Sequence, residues 1–172
     1  LHSRFYNAFE GEIGSHLRAI AALGHAIGLH FDPHVHGLAP GDRGGLARAV
    51  TAEADALGAC LGVAPVAVSF HDPDVGGWTA VDDDEVAGLP SAYGRSIRER
   101  FGYCSDSNGY WRFTPLADVL ADGGHERLHV LTHPEWWVPE PLSPRARIAR
   151  AVDGRAAAVT RYLTNQLDMP AS

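Results

Sequence analysis

Histidine and aspartate gather in a few short stretches of this sequence. The segment GHAIGLHFDPHVHG, residues 24–37, holds His25, His30, His34 and His36 beside Asp32, four of the ten histidines in the chain. Imidazoles titrate near neutral pH and are the commonest metal ligands in proteins. His30 and His34 form a His-x-x-x-His pair, and on a helical turn residues four apart share one face. Two neutral imidazoles could then meet one zinc-like ion at ~2.0–2.1 Å, and a catalytic centre would need a third protein ligand and an open position for water. Such an ion lowers the pKa of its water to about 7 and polarises a carbonyl oxygen. Pro33 disfavours helix at Asp32, although a proline can open a turn. The spacing leaves a second possibility, with His34 and His36 as surface-loop residues and His30 hydrogen-bonded in the core.

Three other stretches carry residues of similar use. VAVSFHDPD brings His71 and Asp72, YCSDSNGYWR brings Asp106, Trp111 and Arg112, and HVLTHPEWW brings His133, Glu135, Trp136 and Trp137. His133 could protonate a leaving group, or be a structural histidine bonded to a loop carbonyl. His71 could orient substrate or bind a phosphate or carboxylate. The tryptophans could stack on a sugar ring or simply pack. Asp106 lies among Ser, Asn and Gly, which favour turns.

The elements that would position these groups can be read from periodicity. Phe9, Ile13, Leu17, Ile20, Ala21 and Leu23 fall on one helical face, and Gly24 offers a stop. HAIGLHF follows as a short strand. Leu46, Val50, Ala54, Leu57 and Leu61 are in register for a second helix, and VAPVAVSF is suited to a strand buried on both faces. Residues 71–90 read as a loop, with Gly76-Gly77 and the solvated acidic run Asp82–Glu85. SAYGRSIRERFG is expected to form a short helix, YCSDS a strand end, TPLADVLADGG a helix with Pro115 near its first turn, and RLHVLTH a strand. The final helix spans LSPRARIARAVDGRAAAVTRYLTNQL, capped by Ser143 with Pro144 in its first turn. Alternating helices and strands imply βα units and a parallel α/β sheet. In such folds chemistry gathers at the carboxyl ends of the strands, where the reactive residues of these stretches fall.

A length of 172 residues suits a single domain, residues 1–172, with a core of its own. A net charge of −7 argues against a nucleic-acid partner, which needs a basic face. Every basic residue is arginine. No apolar run reaches the ~20 residues of a membrane helix, so a soluble protein, with cytoplasmic location favoured, is expected. Cys60 and Cys104 lack CxxC spacing and read as buried free thiols. The oligomeric state is not legible.

At this point the residues resemble the polysaccharide deacetylase superfamily. GHAIGLHFDPH looks like that family's second motif, a Gly/His-rich strand followed by His-x-x-x-His, and LTH resembles its late Leu-x-His motif. YNAFE, VSFHDP, YCSDSNGYWR and LTHPEWW look like a divergent branch. The resemblance implies a distorted or incomplete (β/α) barrel and a metal-dependent deacetylase of N-acetylated sugars, with zinc the expected divalent ion. It makes His30 and His34 metal ligands and His133 the general acid, with Leu131 lining the acetyl pocket and Trp111 the pocket tryptophan.

The chain also departs from the pattern. The family's paired aspartates before this region are missing, as Asp32 is the first aspartate in the chain. SFHDP replaces an Arg-x-Pro-Tyr motif, and Val35 stands where proline is usual. Either the first strand is missing, or Asp32 or Asp106 supplies the carboxylate, or the protein is not catalytic. The leading expectation is a hydrolase in which metal-activated water attacks an N-acyl carbonyl. In it Asp32 binds metal or accepts a proton, His133 protonates the amine, and His71, Asp106, Trp111, Arg112, Leu131 and Trp136 contact substrate. The alternative is a carbohydrate-binding or pseudoenzyme domain that keeps the pocket.

Overall fold

A computed structural model describes residues 7–39, 41–73 and 83–167. Gly76, Gly77 and Asp82, read above as loop, lie outside the described residues. The chain divides into two compact units, residues 1–101 and 102–172.

The first unit runs α1 (Gly11–Ala22), β1 (Leu29–Phe31), α2 (Arg43–Leu61), β2 (Val68–Phe70), β3 (Glu85–Val86), β4 (Leu89–Pro90) and α3 (Arg95–Arg100). Helix α1 ends at Leu23, and Gly24 follows at φ +90°, a conformation glycine adopts without strain. Helix α2 begins where the Asp42 carboxylate accepts the Gly45 N–H at 2.7 Å, and it ends at Gly62 in the left-handed region. Its inner face is Leu46, Val50, Glu53, Leu57 and Leu61, all buried. That stripe packs over β1 and β2, which pair in parallel with Leu29 opposite Val68, His30 opposite Ser69 and Phe31 opposite Phe70.

Side chains alternate across a strand. Leu29, Phe31, Val68 and Phe70 therefore enter the core, each at most 1 % exposed. The opposite face presents His30 and Ser69, with His30 exposed. Each fully buried side chain of this size stabilises the fold by ~1.5–3 kcal/mol.

The segment expected to be loop up to Pro90 instead contains an antiparallel hairpin, β3 with β4, closed by Ala87 and Gly88, both at positive φ. Nor is the acidic run merely solvated. Asp83 pairs with Arg43, and the Asp84 carboxylate accepts the Ser96 backbone N–H at 2.7 Å. Gly94, which precedes α3, has no side chain to cap it, so Asp84 takes that role. A Cβ at Gly94 would lie 2.9 Å from the Asp84 Cα, which is why glycine stands there.

The second unit runs β5 (Gly102–Ser105), a 3₁₀ turn (Ser107–Gly109), α4 (Leu116–Asp122), β6 (Leu128–Leu131), a second 3₁₀ turn (Pro134–Trp136) and α5 (Pro144–Leu167). β5 and β6 are parallel, with Ser105 opposite Leu131. Pro115 immediately precedes α4, and Gly123 ends it at φ +64°. Helix α5 starts as read, with the Ser143 hydroxyl accepting the Ala146 N–H at 3.3 Å.

The class is mixed α/β, with parallel strand pairs alternating with helices. Among the described residues the strands form three two-stranded pieces and no closed barrel. Cys60 and Cys104 are free thiols; Cys104 is buried and Cys60 half-buried, with its thiol 3.4 Å from the Ala8 carbonyl oxygen.

Candidate active site

In the first unit the reactive residues follow from the register of β1 and β2. Ser69 is the cross-strand partner of His30, and His71 is two residues beyond Ser69, so strand alternation sends all three toward one face. The His71 N–H donates to the Phe31 carbonyl at 2.7 Å, which extends the pairing past the last strand residue. Asp72 then turns the chain at φ +43°.

On this face His30 Nδ1 lies 2.8 Å from the Ser69 hydroxyl, and His30 Nε2 lies 3.4 Å from His71 Nδ1. The two rings are nearly perpendicular, with centroids 5.5 Å apart. The centroids are farther apart than the facing nitrogens, so the rings turn their nitrogen edges toward each other.

His30 and His34 do not share a helical turn. His30 belongs to β1, and residues 33–37 form the turn that follows it. Pro33, buried at its start, and the Asp32 carboxylate, which accepts the His34 backbone N–H at 2.9 Å, build that turn. The His34 side chain is exposed on it. His30 is not a core residue either; its neighbours Leu29 and Phe31 are.

His36 is exposed, as expected, yet its ring is committed. Its ring stacks on Phe31 at 5.0 Å, and its Nε2 lies 2.6 Å from the Glu53 carboxylate. The Glu53 side chain is only 7 % exposed. A carboxylate at such depth costs several kcal/mol unless it is paired, so His36 serves to seat α2 against β1.

In the second unit the reactive pair also sits at strand ends. Asp106 follows β5 and is buried, and its N–H donates to the Leu131 carbonyl at 3.1 Å. Its carboxylate accepts from His133 twice, from the backbone N–H at 3.2 Å and from Nδ1 at 2.7 Å. Asp106 is thus both the turn residue its neighbours suggested and the orienting partner of His133. The carboxylate fixes Nδ1 as the protonated nitrogen, leaving Nε2 to exchange protons. His133 is half-exposed, and the Trp136 ring stands edge-on to it at 6.5 Å. The partner of His133 is therefore a carboxylate and not a loop carbonyl.

The turn beneath this pair is built by Ser105 and Ser107, whose hydroxyls lie 2.7 Å apart, and by Asn108 and Gly109 at positive φ. At Gly109 a Cβ would meet the Pro144 ring at 3.1 Å and Trp136 at 3.3 Å, so glycine lets these residues approach.

The chain matches no protein-family model, no curated protein and no solved structure. The site must therefore be read from its own residues. Within the first unit the fold brings together His30 and His71, with Asp32 at the end of β1. Within the second it brings together Asp106, His133 and Trp136. Leu131 is half-buried at the end of β6, and Trp111 is half-buried. Arg112 is exposed; its backbone N–H donates to Ser105, and its guanidinium lies 5.8 Å from the Phe113 ring centre. Trp137 is 67 % exposed.

Among the described residues no group of three or more His, Cys, Asp or Glu side chains converges as a metal cage would. The donor chemistry present is imidazole, which suits zinc and other late divalent metals. Ser69 and Glu53 were not singled out by sequence reasoning. Ser69 could have been, by applying the two-residue strand period to His71. Glu53 could have been too, since it interrupts the apolar stripe of α2. Burial lowers the pKa of His129, which packs against the Tyr103 ring at 5.3 Å, so this histidine is held neutral and contributes structure.

Proposed function

We propose that this chain is a metal-dependent hydrolase that removes an acyl group, N-acetyl above all, from a sugar or polysaccharide. The observation that carries the reading is the buried Asp106 carboxylate holding His133 by Nδ1 at 2.7 Å, at the carboxyl ends of two parallel strands. A carboxylate spent on orienting an imidazole is the arrangement general acid–base chemistry needs.

The imidazoles at the end of β1 and β2 support the metal part of the reading. His30 would hold a divalent ion, zinc by its donor set; His34, the partner that sequence spacing suggested, lies on the exposed turn after β1. Such an ion supplies Lewis acidity toward a carbonyl oxygen and makes a water more acidic. Asp32, two residues after His30, would accept the proton of the attacking water. In the second unit, His133 held by Asp106 is the general-acid candidate, with Nε2 its exchanging nitrogen. Leu131, Trp111, Arg112 and Trp136 are the substrate-contacting candidates, the aromatic rings facing the apolar side of a sugar. A distorted (β/α) barrel is the fold this reading implies.

A second reading, a carbohydrate-binding domain without turnover, is favoured by one observation: the exposed aromatic residues Tyr110, Phe113 and Trp137. Acetate release from an N-acetylated oligosaccharide by the zinc-loaded chain separates the two. Release at rates well above the zinc-only control supports the hydrolase. Saturable sugar binding with no acetate released supports the binding domain and overturns it.

A further inference from the structure

We propose that His71 is a metal ligand, sharing one divalent cation of the zinc type with His30. The proposal refines the metal part of the hydrolase reading and rests on that reading only for the use made of the ion. It assigns His71 to the cation in place of substrate.

An N–H donor normally stands 2.7–3.2 Å from an oxygen acceptor. The separation of His30 Nε2 and His71 Nδ1, 3.4 Å, is long for that. It fits another geometry. Two nitrogens bound at ~2.0–2.1 Å to a tetrahedral ion stand about 3.3–3.4 Å apart, the edge of the tetrahedron. Rings radiating from such an ion have centroids roughly 5 Å apart, and these are 5.5 Å apart.

The surroundings supply what a ligand pair needs. A metal-bound imidazole usually gives its other nitrogen to a neighbouring oxygen, which fixes the tautomer and the ring plane. For His30 that oxygen is the Ser69 hydroxyl at 2.8 Å from Nδ1; when the hydroxyl accepts from Nδ1–H, Nε2 is the nitrogen that can bind an ion on the His71 side. For His71 the backbone is pinned by its N–H donation to Phe31, and the chain turns away at Asp72 in a positive-φ conformation that non-glycine residues rarely adopt. Both histidines are exposed, so an ion can reach them from solvent. Behind them, Leu29, Phe31, Val68 and Phe70 anchor the strands in the core. The ligand pair thus stands on the outer face of a rigid parallel ladder, a better platform than a free loop. His34, by contrast, extends from the exposed turn.

The test is a zinc titration of the full chain by calorimetry, repeated with cobalt(II) and followed by visible absorption. The parent chain should bind one equivalent, and cobalt should give the intense visible bands of a tetrahedral site. His71→Ala and His30→Ala should each weaken zinc binding by at least ~10-fold, and Ser69→Ala by ~10-fold through loss of ring orientation. His34→Ala should leave binding within ~3-fold. Circular dichroism melts of each variant show that it is folded, and His71→Gln, which keeps the side-chain size, should behave as His71→Ala does.

No single-equivalent binding by the parent chain overturns the proposal, as does binding lost with His34→Ala but kept with His71→Ala. Because the readout is binding and not turnover, acetate release can fail while this assignment holds, and the reverse.

Discussion

Both units place an imidazole at the carboxyl end of a parallel strand pair, yet they treat it differently. In the first, His30 and His71 stand exposed on a two-stranded ladder whose other face is the main core, and a neutral hydroxyl, Ser69, lies against His30 Nδ1. In the second, His133 is held by a buried carboxylate, Asp106, and among the described residues of that unit Cys104 alone is a fully buried hydrophobic side chain. The partner decides the use. A hydroxyl orients an imidazole without adding charge, which suits a lone-pair donor to a cation. A carboxylate sets the tautomer and compensates the positive charge of an imidazolium, which suits proton transfer.

The units differ in packing as well. In the first, α2 closes over β1 and β2 with a buried stripe, and its one charged member, Glu53, is matched by His36. In the second, α5 leaves Ile148, Val152, Val159, Leu163 and Leu167 exposed. The first ladder is supported from behind, whereas the ends of the second are joined by the Asp106–His133 hydrogen bonds.

The comparison breaks most visibly at the two polar partners. Asp106→Asn should lower acetate release by ~10³–10⁴-fold, because the amide stabilises the wrong tautomer. It should leave zinc affinity unchanged, measured by calorimetry on the same preparation. An Asp106→Asn chain with full activity would remove His133 from proton transfer.

A smaller contrast lies in stability. Phe31→Ala, fully buried, should cost ~3–5 kcal/mol by urea denaturation. Val130→Ala in β6, half-buried, should cost no more than about 1 kcal/mol. Equal costs would mean that the two ladders are equally supported.

Much of the scaffold was legible in the sequence because its signals are local. α2 announces itself by apolar spacing, and α5 by Ser143 and Pro144 at its start. β1, β2 and β6 are short apolar runs between breakers. The hairpin of β3 and β4 was missed for a physical reason. Its strands are two residues each, and its turn is Ala87-Gly88, without the Asn-Gly or Asp-Gly pair that usually marks a tight hairpin.

At the site, sequence spacing was a weaker guide. His30 and His34 look paired on a helical count, but strand conformation at His30 replaces that period of four with a period of two. His71 is 41 residues from His30 and Asp106 is 27 from His133, and register alone brings each pair together. A local pattern carries no information about register.

The central claim is that these imidazoles have different jobs, and imidazole nitrogen NMR of the ¹⁵N-labelled chain during zinc addition tests it most directly. The account predicts that one equivalent of zinc shifts the Nε2 signal of His30 and the Nδ1 signal of His71 while both nitrogens of His133 stay in place. A zinc-dependent shift at His133 with His71 unmoved would contradict it.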